Sequence, residues 1–268
     1  PESQVDEIRA SAPDAEYITA TDETVFEKAV ELDALIGCPR RAFTEELLDR
    51  AGSRLRWVHA TGAGVEEFLI PRFVESDIVF TNGKIIQGPE VADHALALLL
   101  AFPRNLHLVL SHKTLDPLPR PIELRGKTAL VVGLGGCGLL IAERASAFGM
   151  TVLGVNPDCI PLLRIVDRVY PPDRLQEALP LADAVIVAVP LTELTLDMFG
   201  KAQFAAMKPS AYFIAVSRGK TVETEDLVWA LKDRRIAGAG LDVTEPEPLP
   251  EDHPLWTFPN VIITPHIA

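Results

Sequence analysis

A chain of 268 residues that is 48% hydrophobic can build one large or two ordinary domains with full cores. Its 38 acidic and 25 basic residues, a formal charge of −13, argue against a nucleic-acid backbone or an anionic membrane surface as partner. Cys38, Cys137 and Cys159 follow no zinc or disulfide spacing and fit a reducing cytoplasm; no apolar run approaches the ~20 residues of a membrane helix, and the start PESQVDEIRA has no signal pattern.

Along the chain, residues 22–34 and 43–51 read as helices, the second opened by Thr44 with Glu45 and Glu46 in its first turn. Short apolar runs at 34–37, 55–59 and 77–80 read as strands, so the first 85 residues alternate strand and helix, as a parallel sheet requires. Residues 90–112 form a long apolar helix that Pro103 should kink or split, and TLDPLPRPIELRGK follows as a loop or crossover. From Thr128 the pattern becomes regular, with strands at 128–133, 151–155, 184–189, 211–216, 236–242 and 260–264 and helices in the gaps, notably 138–148 and 224–234. These strands are almost continuously apolar, as expected when both faces are covered, so this half reads as a doubly wound α/β domain. The chain starts without a first strand and stops just after TPHIA, and further terminal segments are expected at both ends.

The stretch LVVGLGGCGLLIAERASAFGMTVLGVNPD carries a nucleotide signature. Gly133, Gly135 and Gly138 fit G-x-G-x-x-G after a strand and at the start of a helix. The first permits a tight turn, the second a close approach of backbone to phosphate, and the third close packing of helix on strand. The helix start then offers free N–H groups and a positive dipole end to a pyrophosphate. Gly136 and Cys137 lie within this turn and count with the three glycines as cofactor-binding residues, the side chain of Cys137 reading as a small packing group. Asn156 stands where an aspartate would accept both ribose hydroxyls of NAD and repel the 2′-phosphate of NADP. An amide removes that repulsion without adding an attraction. The nearest arginine is Arg164 and the nearest carboxylate Asp158, so the residues leave NAD and NADP both open.

Three later stretches sit at strand ends: AVSRG (215–219), LDVTEPEPLP (241–250) and TPHIA (264–268). Ligands of open α/β sheets bind beyond the carboxyl ends of strands, and each stretch puts one reactive side chain there: Arg218, Glu247 and His266. A guanidinium can hold a substrate carboxylate with two hydrogen bonds and polarise a keto oxygen. An imidazole can donate a proton to that oxygen as hydride reaches the carbon, and a carboxylate can orient the imidazole. His59 reads as a packing residue beneath TGAG, His94 as a domain-interface residue, and Arg72 as a further candidate for an anionic substrate.

With these motifs in order, the chain resembles the D-isomer-specific 2-hydroxyacid dehydrogenase family, which includes phosphoglycerate dehydrogenases and glyoxylate/hydroxypyruvate reductases. HATGAGVEE, TNGKIIQGPEVADHALALLLA, LRGKTALVVGLGGCG, VPLTELT, SRGK, GLDVTEPEPLP and NVIITPHIA carry the resemblance from about residue 55 onward. It implies two domains, each a parallel sheet flanked by helices. A Rossmann-type cofactor domain over 95–266, including the linking helix, would be inserted into a flavodoxin-like substrate domain over 1–94. Residues 267–268 and a further C-terminal segment would complete the substrate domain.

The resemblance implies that Arg218, Glu247 and His266 are catalytic, with Arg218 and His266 also touching substrate. Ala63, Gly64 and Val65 would hold the substrate carboxylate through N–H groups, as the domains close over the ligands. Asp242 would take the nicotinamide carboxamide, with Val216 beside it, and Val189, Pro190 and Thr195 would line the adenosine side. The implied activity is NAD- or NADP-dependent interconversion of small 2-oxo and D-2-hydroxy acids by a cytoplasmic homodimer. A nucleotide-sensing, corepressor-like protein on the same fold is the alternative. Ala215 departs from the family's usual asparagine, and Asp93 from its usual glutamate.

Overall fold

The computed structural model describes residues 2–112, 118–158 and 165–268, and the chain divides into two compact units, Pro1–Gly83 and Lys84–Ala268. Arg164 and Cys159 lie outside the described residues. Both units are α/β, each with a parallel sheet flanked by helices.

In the first unit the sheet runs β1 (Ala34–Ile36), β2 (Trp57–Ala60), β3 (Val79–Asn82). The pleat sends Val58 and Ala60 into a cluster with Phe43, Leu47, Phe68 and Phe73, while Ile36, Trp57 and Val79 on the other face are exposed. The helix Glu45–Ala51 starts where the sequence places it: the Thr44 hydroxyl accepts the Leu47 N–H at 3.3 Å, and Glu45 and Glu46 complement the dipole. The helix expected over 22–34 is a single turn, Val25–Lys28. Tertiary pairing overrides local propensity there. Glu31 adopts φ +51 and the Leu32 N–H donates to the Ala51 carbonyl, which turns the segment into β1.

The second unit holds seven parallel strands: β4 (Thr128–Val132), β5 (Thr151–Val155), β6 (Arg168–Tyr170), β7 (Ala184–Val187), β8 (Tyr212–Ala215), β9 (Gly238–Leu241) and β10 (Val261–Ile263). Their order is β10-β9-β8-β7-β4-β5-β6. Successive residues of β4 feed opposite cores. Ala129 and Val131 pack with the helices Gly88–Ala101 and Gly136–Ala147; Leu130 and Val132 belong to the core that holds Phe204 and Leu227, from the helices Lys201–Ala206 and Thr224–Lys232. Burial on both faces explains why these strands read as unbroken apolar runs.

Six strands were expected here, and β6 is the seventh. The run expected over 90–112 breaks into Gly88–Ala101 and Leu106–His112, with Pro103 in the break and Asn105 at φ +58. The helix Gly88–Ala101 lies wholly in the second unit, whereas the sequence reading divides the chain at 94/95. No helix among the described residues is long and apolar enough to cross a membrane.

Candidate active site

The strand order reverses between β4 and β7, and the glycine-rich loop leaves β4 at that switch point. Gly133 turns the chain with φ +94, and the helix Gly136–Ala147 begins directly after Gly135. A Cβ on Gly138 would lie 1.8 Å from the Gly133 carbonyl oxygen, so loop and helix touch backbone to backbone. A Cβ on Gly135 would meet nothing within 4 Å. The loop is thus tight beneath and open above Gly135, beside the unsatisfied N–H groups of the helix's first turn. That cradle fits a dinucleotide pyrophosphate. Gly138→Ala is expected to destabilise the fold by roughly 1–3 kcal/mol or more, through forced backbone movement. Gly135→Val is expected to leave the melting temperature within a degree or two while weakening cofactor binding at least about tenfold, since its side chain enters only the cradle. Thermal melts and cofactor fluorescence titrations check both; a Gly135→Val variant with unaltered affinity would discount the cradle.

Cys137 sits in the helix's first turn, half-buried, and burial pushes its thiol pKa up, which suits the packing role expected of it. Asn156 directly follows β5 and is spent on the loop: its Oδ1 accepts the Leu134 N–H at 3.1 Å and its Nδ2 donates to the Asp158 carbonyl at 3.0 Å. After β7, buried Val189 leans toward Gly133, its Cγ1 2.9 Å from where a Cβ there would be. The Thr195 hydroxyl donates to the Pro190 carbonyl at 2.6 Å and accepts the Thr192 N–H at 2.8 Å, which folds VPLTELT into a compact turn.

On the other side of the switch point, Ala215, Leu241 and Ile263 are in register across β8, β9 and β10. Neighbouring strands are ~4.8 Å apart, so the three following segments leave the same sheet edge side by side. They are drawn together further along: a Cβ on Gly219 would lie 1.9 Å from the Thr244 carbonyl oxygen, so the backbone after Arg218 packs on the loop that carries Glu247. Across that edge, His266 Nδ1 lies 2.6 Å from Glu247 Oε1. A carboxylate accepts only, so the bond fixes the proton on Nδ1 and turns Nε2 outward. The Thr244 N–H reaches the other oxygen of Glu247 at 3.4 Å. His266 and Glu247 side chains are each 41% exposed, open to a ligand. His266 itself adopts φ +54, a conformation rare outside glycine that persists only where neighbours impose it.

The Arg218 guanidinium donates from Nη1 to the Ser217 carbonyl at 2.7 Å. Ser217 was not singled out in the sequence. Its hydroxyl is buried without a hydrogen-bond partner among the described residues, between Val216 and Arg218, and an orphan of this kind awaits a ligand or water. Asp242, 1% exposed, is engaged by its own chain: Oδ1 accepts the Thr264 hydroxyl at 2.6 Å and the Ile267 N–H at 3.0 Å, and Oδ2 accepts the Ala268 N–H at 3.0 Å. Only a remaining Oδ2 lone pair is left for an outside donor. Ala215, in place of the family's asparagine, is fully buried within β8, and Asp93 accepts a 2.6 Å bond from Arg144 that clamps the helices Gly88–Ala101 and Gly136–Ala147.

Ala63, Gly64 and Val65 belong to the first unit, where Asn82 Nδ2 donates to the Ala63 carbonyl at 2.7 Å and Val65 precedes the turn Glu66–Phe68. His59 lies within β2 with Nδ1 2.8 Å from the Thr81 hydroxyl, and Arg72 pairs with Asp49. Among the described residues no group of three or more His, Cys, Asp or Glu could hold a metal ion.

Residues 95–268, well over half of the chain, match the NAD binding domain of the D-isomer specific 2-hydroxyacid dehydrogenases. The chain belongs to this family. It is 36% identical over 260 residues to a glyoxylate reductase of Pyrococcus furiosus, covering 92% of this chain and 76% of that protein. It is 33% identical over 250 residues to a D-3-phosphoglycerate dehydrogenase of Methanocaldococcus jannaschii, covering 92% of this chain but 47% of the relative, so it spans about half of that protein's length. Among solved structures, a D-isomer specific 2-hydroxyacid dehydrogenase family protein from Aeromonas salmonicida superposes with a TM-score of 0.86 at 33% identity, over 99% of this chain and 86% of that one. The dehydrogenase family's NAD binding domain is therefore the setting of the glycine-rich cradle, Arg218, Glu247 and His266.

Proposed function

We propose that this dehydrogenase reduces small 2-oxo acids to D-2-hydroxy acids and runs the reverse reaction, with NAD(H) or NADP(H). The observation that carries the reading is the 2.6 Å bond between His266 and Glu247, at the carboxyl ends of the same parallel sheet whose strands also lead into Arg218 and the glycine-rich loop. The cradle around Gly133, Gly135 and Gly138 would hold the dinucleotide, whose reduced nicotinamide would supply the hydride that C2 of the oxo acid receives. His266 gives its Nε2 proton to the C2 oxygen, which becomes the hydroxyl, and Glu247 keeps the ring oriented through Nδ1. Arg218 binds the substrate carboxylate and polarises the C2 carbonyl. Ala63, Gly64 and Val65, in the first unit, are assigned to the carboxylate as well, and the leftover lone pair of Asp242 to the nicotinamide carboxamide.

Glyoxylate and hydroxypyruvate are the first acids to try, since several relatives are glyoxylate reductases. The test is oxidation of NADH and of NADPH by the full-length protein against a panel of 2-oxo acids. Turnover with at least one acid is expected; none with any acid, alongside nucleotide-dependent binding of a protein partner, would favour the corepressor-like alternative.

Asn156 supports use of both cofactors, because position 156, directly after β5, carries an amide and no charge to repel a 2′-phosphate. Asn156→Asp is expected to weaken NADPH at least about tenfold relative to NADH, a modest share of the several kcal/mol that juxtaposed like charges can cost. Titration of both cofactors checks it, and an unchanged ratio would remove Asn156 from the discrimination. A homodimer through the second unit completes the proposal. Leu106, Leu110 and Ile122, 46%, 74% and 50% exposed, supply apolar surface for it, and light scattering gives the mass.

A further inference from the structure

Behind His266 lies a second hydrogen-bonded group with no part in the chemistry above. Leu98 of the helix Gly88–Ala101 lies over Gly240 of β9; a Cβ on that glycine would be 3.0 Å from Leu98 Cβ. His94 is one turn earlier on the same helix face, and Asp242 follows two residues after Gly240. His94 Nε2 lies 2.9 Å from the Thr264 hydroxyl oxygen and 3.4 Å from Asp242 Oδ1. The hydroxyl proton of Thr264 is committed to Asp242 at 2.6 Å, so its oxygen can only accept, and the proton between His94 and Thr264 belongs to His94 Nε2. Asp242 in turn holds the N–H groups of Ile267 and Ala268, the two residues after His266. His266 occupies its left-handed conformation between these anchors.

We propose that His94 is a positioning residue for His266. Its Nε2–H aligns the Thr264 hydroxyl on Asp242, and the filled carboxylate clasps the backbone on the far side of His266 so that Nε2 of that ring is held on target. The inference rests on His266 being the proton donor. Without the His94 donor, Thr264 can swing its proton elsewhere, Asp242 loses an aligned partner, and the segment 264–268 loosens. A residue that merely fills core space would instead affect stability without singling out this segment.

The variants are His94→Leu, His94→Gln, which keeps an N–H donor at a similar reach, and Thr264→Val, which removes the hydroxyl at nearly constant shape. All are made in the full-length protein and read by kcat, KM, cofactor affinity and amide hydrogen exchange. For His94→Leu, kcat is expected to fall roughly ten- to a hundredfold, the scale set by small misplacements of a reacting group, with KM for the acid within about threefold. Exchange at Ile267 and Ala268 should quicken while that of the glycine-rich loop does not. Thr264→Val should behave likewise, and His94→Gln should return kcat to within about threefold of the parent. Unchanged exchange in 264–268 with His94→Leu and Thr264→Val, or no recovery with His94→Gln, overturns the proposal. A parent protein inactive on every acid would sink the assigned reaction instead, and the exchange of Ile267 and Ala268 would still decide whether His94 holds the segment.

Discussion

Replacing His266 with glutamine is expected to lower kcat by about 10²–10⁴-fold, the usual contribution of a positioned proton donor. Glutamine keeps the approximate reach and can still contact Glu247, so the backbone of 264–268 and its anchoring to Asp242 should survive. It cannot deliver a proton from the ring position that the His266–Glu247 bond turns outward at 2.6 Å. The loss should therefore fall on turnover, with cofactor affinity within about twofold of the parent, because the cradle around Gly135 shares no atoms with the imidazole. Steady-state kinetics with a saturating acid, beside fluorescence titration of NADH, separate the two. Full turnover in this variant would remove His266 from the chemistry.

The second large effect concerns the guanidinium. Arg218→Ala is expected to reduce kcat/KM by about 2–5 kcal/mol, or roughly 30- to 5,000-fold, the range for truncating one partner of a desolvated charge pair. Much of this should appear as a raised KM, since the lost contact binds substrate as well as the activated carbonyl. Arg218→Lys should recover only part of it: an ammonium carries the charge but not the planar pair of donors that matches a carboxylate. The turn that follows should persist in either case, because the Thr221 hydroxyl and N–H donate to the Arg218 carbonyl, which both variants keep. Equal kcat/KM for the lysine variant and the parent would mean that charge alone matters and that two-pronged binding does not occur.

Much of this molecule was legible before any coordinates. Apolar runs long enough to cross a sheet gave β4, β5, β7 and β8, because burial on both faces leaves no ambiguity about what the run is for. Thr44 marked a helix start because its hydroxyl does a local job. What stayed hidden was set by distant partners. β6 is three residues, RVY, too short for any period, and only its pairing with β5 makes it a strand. Residues 22–34 looked helical by propensity and were redirected by hydrogen bonds that the Glu31 and Leu32 N–H groups donate to the Arg50 and Ala51 carbonyls at the helix end.

At the candidate site, spacing identified Arg218, Glu247 and His266 as strand-end residues, but nothing in AVSRG distinguished the hydroxyl of Ser217 from an ordinary turn serine. His94 was read as a domain-interface residue. Its bond to Thr264 spans 170 positions within the second unit, a separation no local pattern can announce.

The position of β10 has a further consequence. Among the described residues it is a three-residue strand at the margin of the seven-stranded sheet, paired on one side only, with all three side chains half-buried. Stability is distributed unevenly in folded proteins, and margins open before centres do. The proposed proton donor, His266, thus hangs from a marginal strand while the cradle leaves β4, which is paired on both sides. On gentle heating, turnover should fade some degrees before circular dichroism changes, with nucleotide still bound by protein that no longer reacts.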